Sequence, residues 1–425
     1  DHPFYTKDGM KQAGKLEIGE ELSLYPFEGV DYEDPISDII VDKEDIRKLI
    51  LRLGKSSGGR AIEQIISYLE LNDILPIRYN SVQLPYLLKI MGYCFGDGVI
   101  YLDGKRKKGT VCFYGKEEDL KKMKEDLARI GFKSGIYSRP RHHKIKTMYG
   151  VYEFDRKEVV LKCSCNALAM LLVALGTPLG NKCYQPYELP EWLLKACLWQ
   201  KRLFLAGLFG AELSAPATLT GHGYNFYCPT LSMNKIRSSL DSGYKFLQGV
   251  SKLLYEFGVS VHEISQRKEF VNKQGVVSYR LRLMVSDKTE NLINLYSKIG
   301  FEYNEERKFL ANCAVSYLRL KRQIIRERHE VAALAPKLYN SGSWDRGQLY
   351  DYLTSSPYVS QRFVERSLYE TRKTYPRMWG DDLTFEKYIE TKTKGLGRSG
   401  MVWERIGAIQ ELEFDDYVYD FTVAH

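Results

Sequence analysis

Two carboxylates end two apolar, helix-forming segments of this chain. Asp97 follows "IMGYCFG" and Glu212 follows "FLAGLFGA". At a helix C-terminus a carboxylate meets the negative end of the helix dipole, and two such carboxylates brought together also repel each other. A divalent cation with oxygen ligands offsets both costs, and two carboxylates with waters and a substrate phosphate suit Mg²⁺. We therefore predict that Asp97 and Glu212 hold Mg²⁺ or Mn²⁺.

Small residues recur four positions apart in both segments. Gly92 and Gly96 lie in the first, and Gly207 and Ala211 lie in the second. Residues four apart share one helix face, and small ones let two helix backbones approach closely. The spacing predicts that the two helices pack together and bring their acidic ends side by side. For either helix alone an ordinary helix end is the simpler explanation, because "GDG" at 96–98 is also a turn signal.

The middle of the chain contains one pattern of elements twice. Apolar periodicity and alternation predict the order α-β-β-α-β-β-α over 84–176 and again over 200–305. The predicted fold class is therefore α+β, with a pseudo-twofold core formed by two halves of one chain. The preceding segment 41–83 is predicted to be helical, and either extends a nucleic-acid contact or tethers domains.

The paired segments resemble the motifs of LAGLIDADG homing endonucleases. The resemblance implies that Asp97 and Glu212 bind catalytic metal, with glutamate standing where aspartate is usual. It also implies a basic residue near each acid, for which Lys162 is the candidate in the first half and Arg282 or Lys288 in the second. The alternative for these cations is a surface strand position that faces a phosphate. The implied activity is site-specific cleavage of both strands of a long DNA target.

The two ends of the chain resemble an archaeal-type intein, in which an all-β Hint domain surrounds the endonuclease. The matching stretches are "DHPFYTKDGMKQAGKLEIGEELSL" at 1–24 and "IQELEFDDYVYDFTVAH" at 409–425. The resemblance implies splicing roles for His2 and Asp420. The Cys or Ser that opens an intein and the His-Asn that closes it are missing, so we expect outer segments and a fused host (extein) protein in a longer parent.

Clusters of basic residues predict a polyanionic partner. The net charge is +8, and the basic clusters are interleaved with aromatic residues. A short helix, a turn at 355–357 and a helix from about Ser360 predict a helix-turn-helix within 306–400. The alternatives are a solvated face and a helical hairpin with a basic face. The predicted DNA-binding residues are Lys105, Arg106, Lys107, Lys108, Arg139, Arg141, Ser360, Gln361, Arg362, Arg366, Arg372, Lys373 and Arg377.

The bulk composition limits the remaining possibilities. The 425 residues are enough to bury more than one core. No apolar run is long enough to span a membrane and no secretory signal stands at the start, which predicts a cytoplasmic protein, and we also expect a monomer. The eight cysteines lack the spacing of a zinc site. The predicted layout is 1–40 and 401–425 for the Hint parts, 41–83 for the helical linker, 84–305 for the endonuclease and 306–400 for the DNA-recognition module.

Together these patterns predict an intein-encoded, Mg²⁺-dependent homing endonuclease within a protein-splicing element. The alternative is a protein that keeps the fold without the cleavage chemistry. Such a protein would be a DNA-binding regulator with a helix-turn-helix, or an RNA-splicing maturase. The presence of both carboxylates favours the enzyme, and the glutamate at position 212 leaves room for the alternative.

Overall fold

A computed structural model describes residues 2–54, 60–103, 108–147, 150–271, 275–369, 376–378 and 383–412. The helices are α1 (Lys43–Arg52), α2 (Arg60–Leu71), α3 (Leu84–Phe95), α4 (Glu117–Arg129), α5 (Asn166–Ala174), α6 (Glu191–Leu194), α7 (Leu198–Glu212), α8 (Leu240–Glu256), α9 (Thr289–Asn294), α10 (Glu305–Asn340), α11 (Arg346–Leu353), α12 (Gln361–Tyr369) and α13 (Phe385–Lys392).

Fifteen strands are found in the described residues. They are β1 (Pro3–Thr6), β2 (Gly9–Gln12), β3 (Glu21–Leu24), β4 (Ile39–Val41), β5 (Ile77–Arg78), β6 (Gly98–Asp103), β7 (Lys108–Tyr114), β8 (Gly135–Thr147), β9 (Gly150–Cys163), β10 (Thr218–Leu219), β11 (His222–Phe226), β12 (Thr230–Ile236), β13 (Val261–Val271), β14 (Val277–Val285) and β15 (Val402–Arg405). The fold is mixed α+β with several small antiparallel sheets.

The first half of the core contains the predicted elements in the predicted order. Helix α3 leads into β6 and β7, then α4, β8, β9 and α5. The strands form one antiparallel sheet in the order β6-β7-β9-β8. One face of this sheet is covered, since Val111, Phe113 and Leu161 are fully buried. Alternate residues on the same strands therefore lie on the open face.

The second half departs from the first at one edge of its sheet. Its sheet has three strands in the order β12-β14-β13, and β10 pairs only with β11. After Glu212 a single bridge from Leu213 to Leu231 stands where the first half has the full strand β6. Pro216 follows shortly, and a proline has no N–H to donate to a ladder. The two predicted halves are therefore similar in element order and unequal in sheet size.

The segments around the core pack onto it. Helices α1 and α2 bury Ile46, Ile50 and Ile66 in the same hydrophobic cluster as the two halves. The C-terminal part of the long helix α10 forms a separate small core with α11 and α12. In that core α11 ends at Leu353 and α12 begins at Gln361, close to the helix-turn-helix spacing expected from sequence.

The predicted all-β Hint domain is not shown. The ends of the described chain meet in a four-stranded sheet of order β15-β3-β1-β2, in which each strand has only four residues. Residues 413–425, with Asp420, lie outside the described residues. Of the helices that the structure describes, none has the length and apolarity needed to cross a membrane.

Candidate functional site

Helices α3 and α7 pack with their backbones in direct contact. A Cβ atom at Gly92 would collide with the carbonyl oxygen of Phe204, and one at Gly207 would collide with the carbonyl oxygen of Lys89. Any residue larger than glycine at these points would force the helices apart. The predicted packing of the two helices through small residues is confirmed.

The same packing brings the acidic ends of the two helices together. A Cβ at Gly96 would collide with the Cβ of Ala211 and lie 2.7 Å from Cγ of Glu212. Asp97 is the next residue, and its carboxylate raises the pKa of Glu212 through charge repulsion. Asp97 is exposed and Glu212 is half-buried. The two carboxylates therefore form one pair that opens to solvent on the Asp97 side.

Lys182 caps the C-terminus of α3. Its ammonium donates hydrogen bonds to the carbonyl oxygens of Cys94 and Phe95, both at 3.0 Å, and to that of Gly96. These are the carbonyls that a helix end leaves without an intrahelical partner. The cation also interacts favourably with both carboxylates, since its charge lowers the pKa of Asp97 and of Glu212.

Arg307 caps the C-terminus of α7. One guanidinium nitrogen donates to the carbonyl oxygens of Phe209 (3.1 Å), Gly210 (2.7 Å) and Ala211 (3.1 Å). Arg307 lies in the first turn of α10, and Asn304 caps that helix by accepting from the Arg307 N–H at 3.1 Å. Each acid is therefore backed by a cation from a different segment, and neither cation was predicted as a site residue.

Two acids and two cations meet in this cluster, and partial removal from water disfavours the charged form of each. Desolvation raises the pKa of Asp97, and burial together with the Asp97 charge raises the pKa of Glu212 to about 7. Burial also lowers the pKa of Lys182 and of Arg307, although the nearby carboxylates oppose that change. A positive charge bound directly between the two carboxylates would relieve the repulsion between them.

The donor set suits a hard, partly hydrated cation. Among the described residues no group of three or more His, Cys, Asp or Glu side chains could hold a metal ion, so the protein offers two carboxylates here. Mg²⁺ is typically bound through one or two carboxylates while it keeps several waters or binds substrate phosphates. The arrangement fits such an ion and does not fit a closed structural site.

Lys162 lies on the open face of the first sheet, two residues along β9 from the position in register with Asp97. The Tyr114 N–H donates to the Asp97 carbonyl at 3.0 Å, and Tyr114 pairs with Val160 on β9. Lys162 is two residues further along β9 and so lies on the same face. It lines a groove of about 780 Å³ together with Tyr137 and other residues of this face.

In strand register Arg282 lies directly in line with Glu212. Lys162, by contrast, lies two residues out of line with Asp97. Because Leu213 pairs with Leu231, Glu212 comes opposite Ser232, and Ser232 pairs with Arg282. The Arg282 Nε is buried, and no described group accepts a hydrogen bond from it. Lys288, the second candidate of this half, is exposed at the residue that precedes α9, beyond the end of β14.

The predicted DNA-binding residues lie on two separate surfaces. Arg139 and Arg141 are on β8, where both pair with Glu158 of β9. Lys108 is exposed at the start of β7. The residues of this group that fall outside the described residues are Lys105, Arg106, Lys107, Arg372 and Lys373.

On α12 the predicted polar residues face away from the small core. Gln361, Arg362 and Arg366 are exposed, whereas Phe363 and Val364 are buried. Ser360 precedes the helix, and its hydroxyl accepts from the Phe363 N–H at 3.4 Å. Arg377 is exposed further along the chain.

His2 is exposed at the other end of the described chain. Its ring lies edge to face with Phe4, 5.6 Å between centroids.

Comparison with known proteins gives relatives with unexpected names. The chain is 32% identical over 432 residues to the tRNA-splicing ligase RtcB of Methanopyrus kandleri, and 32% identical over 435 residues to that of Pyrococcus furiosus. Both alignments cover 100% of this chain and 40% of the ligase. The chain thus spans less than half the length of these relatives. No protein-family model matches it.

A relative with a different name aligns with the same segment. The chain is 28% identical over 432 residues to the DNA-directed RNA polymerase subunit Rpo1N of Methanocaldococcus jannaschii, across 99% of this chain and 27% of the subunit. Because one segment recurs in proteins with two different names, neither name by itself gives the activity of the segment.

These relatives correct several predictions. Three relatives matched over 100% of this chain are named as tRNA-splicing ligases, which contradicts the predicted family, an intein with a homing endonuclease, and its implied enzyme class. The same finding contradicts the predicted function, and the alternative of an RNA-splicing maturase is nearer to these names but is not supported either. It also contradicts the predicted partners, a double-stranded DNA target and a fused host protein. A motif of small residues before an acid records how two helices pack and does not by itself define a reaction.

Two solved structures resemble the chain weakly. They are the homing endonuclease I-WcaI bound to its DNA recognition sequence, with a TM-score of 0.30 over 53% of this chain and 91% of that one, and the LAGLIDADG meganuclease I-AabMI bound to uncleaved DNA, with a TM-score of 0.27 over 55% and 90%. Both are 13% identical to this chain. Such low scores carry no conclusion about fold or activity.

Proposed function

We propose that Asp97 and Glu212 hold a divalent metal ion, Mg²⁺ or Mn²⁺, and that this site performs phosphodiester chemistry on a polynucleotide. The observation that carries the proposal is the contact between two helix C-termini, each capped by a cation and each ending in a carboxylate. Two carboxylates held side by side repel each other, and a cation bound between them would offset that repulsion.

The positive charge of the metal would offset the negative charge of the reacting phosphate. A bound Mg²⁺ polarises a phosphoryl oxygen and stabilises the negative charge that develops there. Asp97 and Glu212 are the residues that would bind it, with the remaining positions left to water and substrate oxygens. Lys182 and Arg307 hold the helix ends in place, so the carboxylates are positioned before any ligand arrives.

The open faces of the two sheets would bind the polynucleotide backbone. Arg282 and Lys162 lie on these faces, near the two acids. A cation that reaches a phosphate fixes the position of the chain without reading its sequence. We further propose that the two halves form a pseudo-twofold core about α3 and α7, of the LAGLIDADG type. A cytoplasmic location stays a prediction.

The names of the relatives support a polynucleotide as the substrate class. One name refers to the splicing of tRNA and the other to the synthesis of RNA on DNA. The chain spans only part of each relative, so the proposal is limited to what Asp97, Glu212 and their neighbours can do. That chemistry is the making or breaking of a phosphodiester bond.

The test is a gel assay that resolves both joined and shortened products. The chain is incubated with end-labelled single-stranded and duplex RNA and DNA, with and without Mg²⁺ or Mn²⁺. We expect a metal-dependent product, and a loss of about 10³-fold in Asp97→Asn, because a metal contributes several kcal/mol to such reactions. Asp103→Asn is the matched control, since Asp103 is an exposed acid at the end of β6.

Two outcomes would overturn the proposal. One is a rate for Asp97→Asn equal to that of the parent chain. The other is the absence of any metal-dependent product on all four substrates.

A further inference from the structure

The strand β12 contributes a buried lysine for which the described residues provide no acidic partner. Lys235 is 0% exposed, and its ammonium donates to the carbonyl oxygens of Lys182 (2.9 Å) and Gln185 (2.8 Å). It also lies 3.6 Å from the centroid of the Tyr187 ring. A fully buried charge is costly, and here only two peptide carbonyls and one ring face offset that cost. Such a charge calls for an explanation beyond core packing.

The carbonyls that Lys235 binds belong to the loop that carries Lys182. Two more groups of the second half bind this loop: the Ile236 N–H donates to the Cys183 carbonyl at 3.1 Å, and the Ser239 hydroxyl donates to the same oxygen at 2.7 Å. On its other side, the Lys182 ammonium binds the end of α3 in the first half. The loop therefore joins the second sheet to the helix that presents Asp97.

We propose that Lys235 and Ser239 are positioning residues, which hold the 182–185 loop so that the Lys182 ammonium stays behind Asp97. Neither side chain is placed at the carboxylates, so both act through Lys182. Arg307 needs no such clamp, because it lies inside α10 and the helix backbone fixes it. The proposal rests on the proposed function of the Asp97–Glu212 site only for its effect on rate.

The primary test does not depend on activity. In the folded full chain, the rate at which an amine-reactive reagent modifies Lys182 is measured by peptide mass spectrometry. We expect Lys235→Met to raise that rate about tenfold, because two carbonyls of the loop lose their donor and the loop opens. Ser239→Ala, a smaller change that leaves every charge in place, is expected to raise it about threefold.

The matched control is Lys321→Met. Lys321 is a partly buried lysine that, like Lys235, donates to a backbone carbonyl, and its partners are the Tyr224 carbonyl at 2.8 Å and the Asn225 side chain at 3.0 Å rather than the 182–185 loop. This variant is expected to leave the modification rate of Lys182 unchanged. An increase in Lys321→Met as large as that in Lys235→Met would overturn the proposal.

Two further measurements on Ser239→Ala, the modification rate of Lys182 and the values of kcat and KM, also test the proposal. If Lys235→Met does not fold, Ser239→Ala decides, and an unchanged Lys182 modification rate in that variant overturns the proposal. Where the parent chain is active, Ser239→Ala is expected to lower kcat about threefold with KM unchanged, while a change in KM alone would contradict positioning. An inactive parent with the expected modification rates would reject the proposed function and leave the clamp supported.

Discussion

The two halves of the site reach the same arrangement by different means. In the first half an aspartate follows α3, it is exposed, and its cap is a lysine from a loop. In the second half a glutamate ends α7, it is half-buried, and its cap is an arginine from the first turn of a long helix. The more buried acid thus has the more rigid support. The lesson is that the two carboxylates are expected to differ in how easily they lose a proton and how firmly they are held.

The largest expected effect concerns the glycine contacts that both halves share. Gly207→Ala and Gly92→Ala should each lower the free energy of unfolding by about 3 kcal/mol, because the added Cβ collides with a backbone carbonyl of the other helix. Urea unfolding followed by circular dichroism measures this. Gly14→Ala, where a Cβ meets nothing within 4 Å, is the control and should change stability by less than about 0.5 kcal/mol. Equal losses in all three variants would contradict the account.

The two caps should contribute nearly equal amounts to the free energy of unfolding, and the Arg307 cap should not accept a lysine in its place. Arg307→Met and Lys182→Met should each cost about 2 kcal/mol, since each leaves carbonyls of a helix end without a donor. Arg307→Lys should recover little, because a single ammonium cannot reproduce a planar guanidinium.

The control for the caps is Arg322→Met. This change removes an ion pair to Glu290 in which both side chains are more than half exposed, and should cost about 0.5 kcal/mol or less. If the cap variants unfold at the same urea concentration as this control, the capping roles are wrong.

The acids should give the site a pH dependence that comes mainly from Glu212. Its pKa of about 7 lies above the ordinary value of 4.5, so the folded chain holds a proton that the unfolded chain has lost between those pH values. The free energy of unfolding therefore falls as pH rises from about 4.5 to 7. Because Glu212→Gln has no carboxyl group to ionise, its free energy of unfolding at pH 8 should exceed that of the parent by about 1 to 2 kcal/mol.

Metal affinity should change with pH in the opposite direction. A metal ion must displace the proton from Glu212, so affinity should fall up to about tenfold for each pH unit below 7. Calorimetric titration of Mg²⁺ at pH 6, 7 and 8 measures this. Constant affinity across that range would show that Glu212 is no ligand.

The smallest expected effect separates the two basic residues on the sheets. Arg282→Met should weaken polynucleotide binding by about 1 kcal/mol and reduce the salt dependence by about one ion, because the Arg282 Nε has no described acceptor and is placed opposite Glu212. Lys162→Met should have a smaller effect, since Lys162 lies one same-face position further from its acid. Fluorescence anisotropy at two salt concentrations distinguishes them, and the reverse order would contradict the register argument.

The helix contact could be predicted from sequence, and the caps could not. Small residues at 92, 96, 207 and 211 define one face of each helix, and the structure packs those faces together. Lys182 and Arg307 reach the helix ends from segments far along the chain, and no local periodicity marks such a contact. The missing edge strand of the second sheet did have a signal in Pro216, which cannot donate to a ladder.

The prediction of activity failed for a different reason. The resemblance rested on a few residues that make helices pack closely and place an acid at their ends. The relatives aligned over the whole chain have other names, and the chain covers 40% of one and 27% of the other. Packing motifs report geometry, whereas a reaction must be argued from the groups that meet the substrate.

The most direct test of the central claim is a calorimetric titration of Mn²⁺ and Mg²⁺ into the parent chain, Asp97→Asn, Glu212→Gln and the double variant at pH 8. We expect saturable binding in the parent, weaker binding in each single variant and none in the double variant, with Asp103→Asn equal to the parent. Binding in the double variant as strong as in the parent would show that this pair of carboxylates is not a metal site.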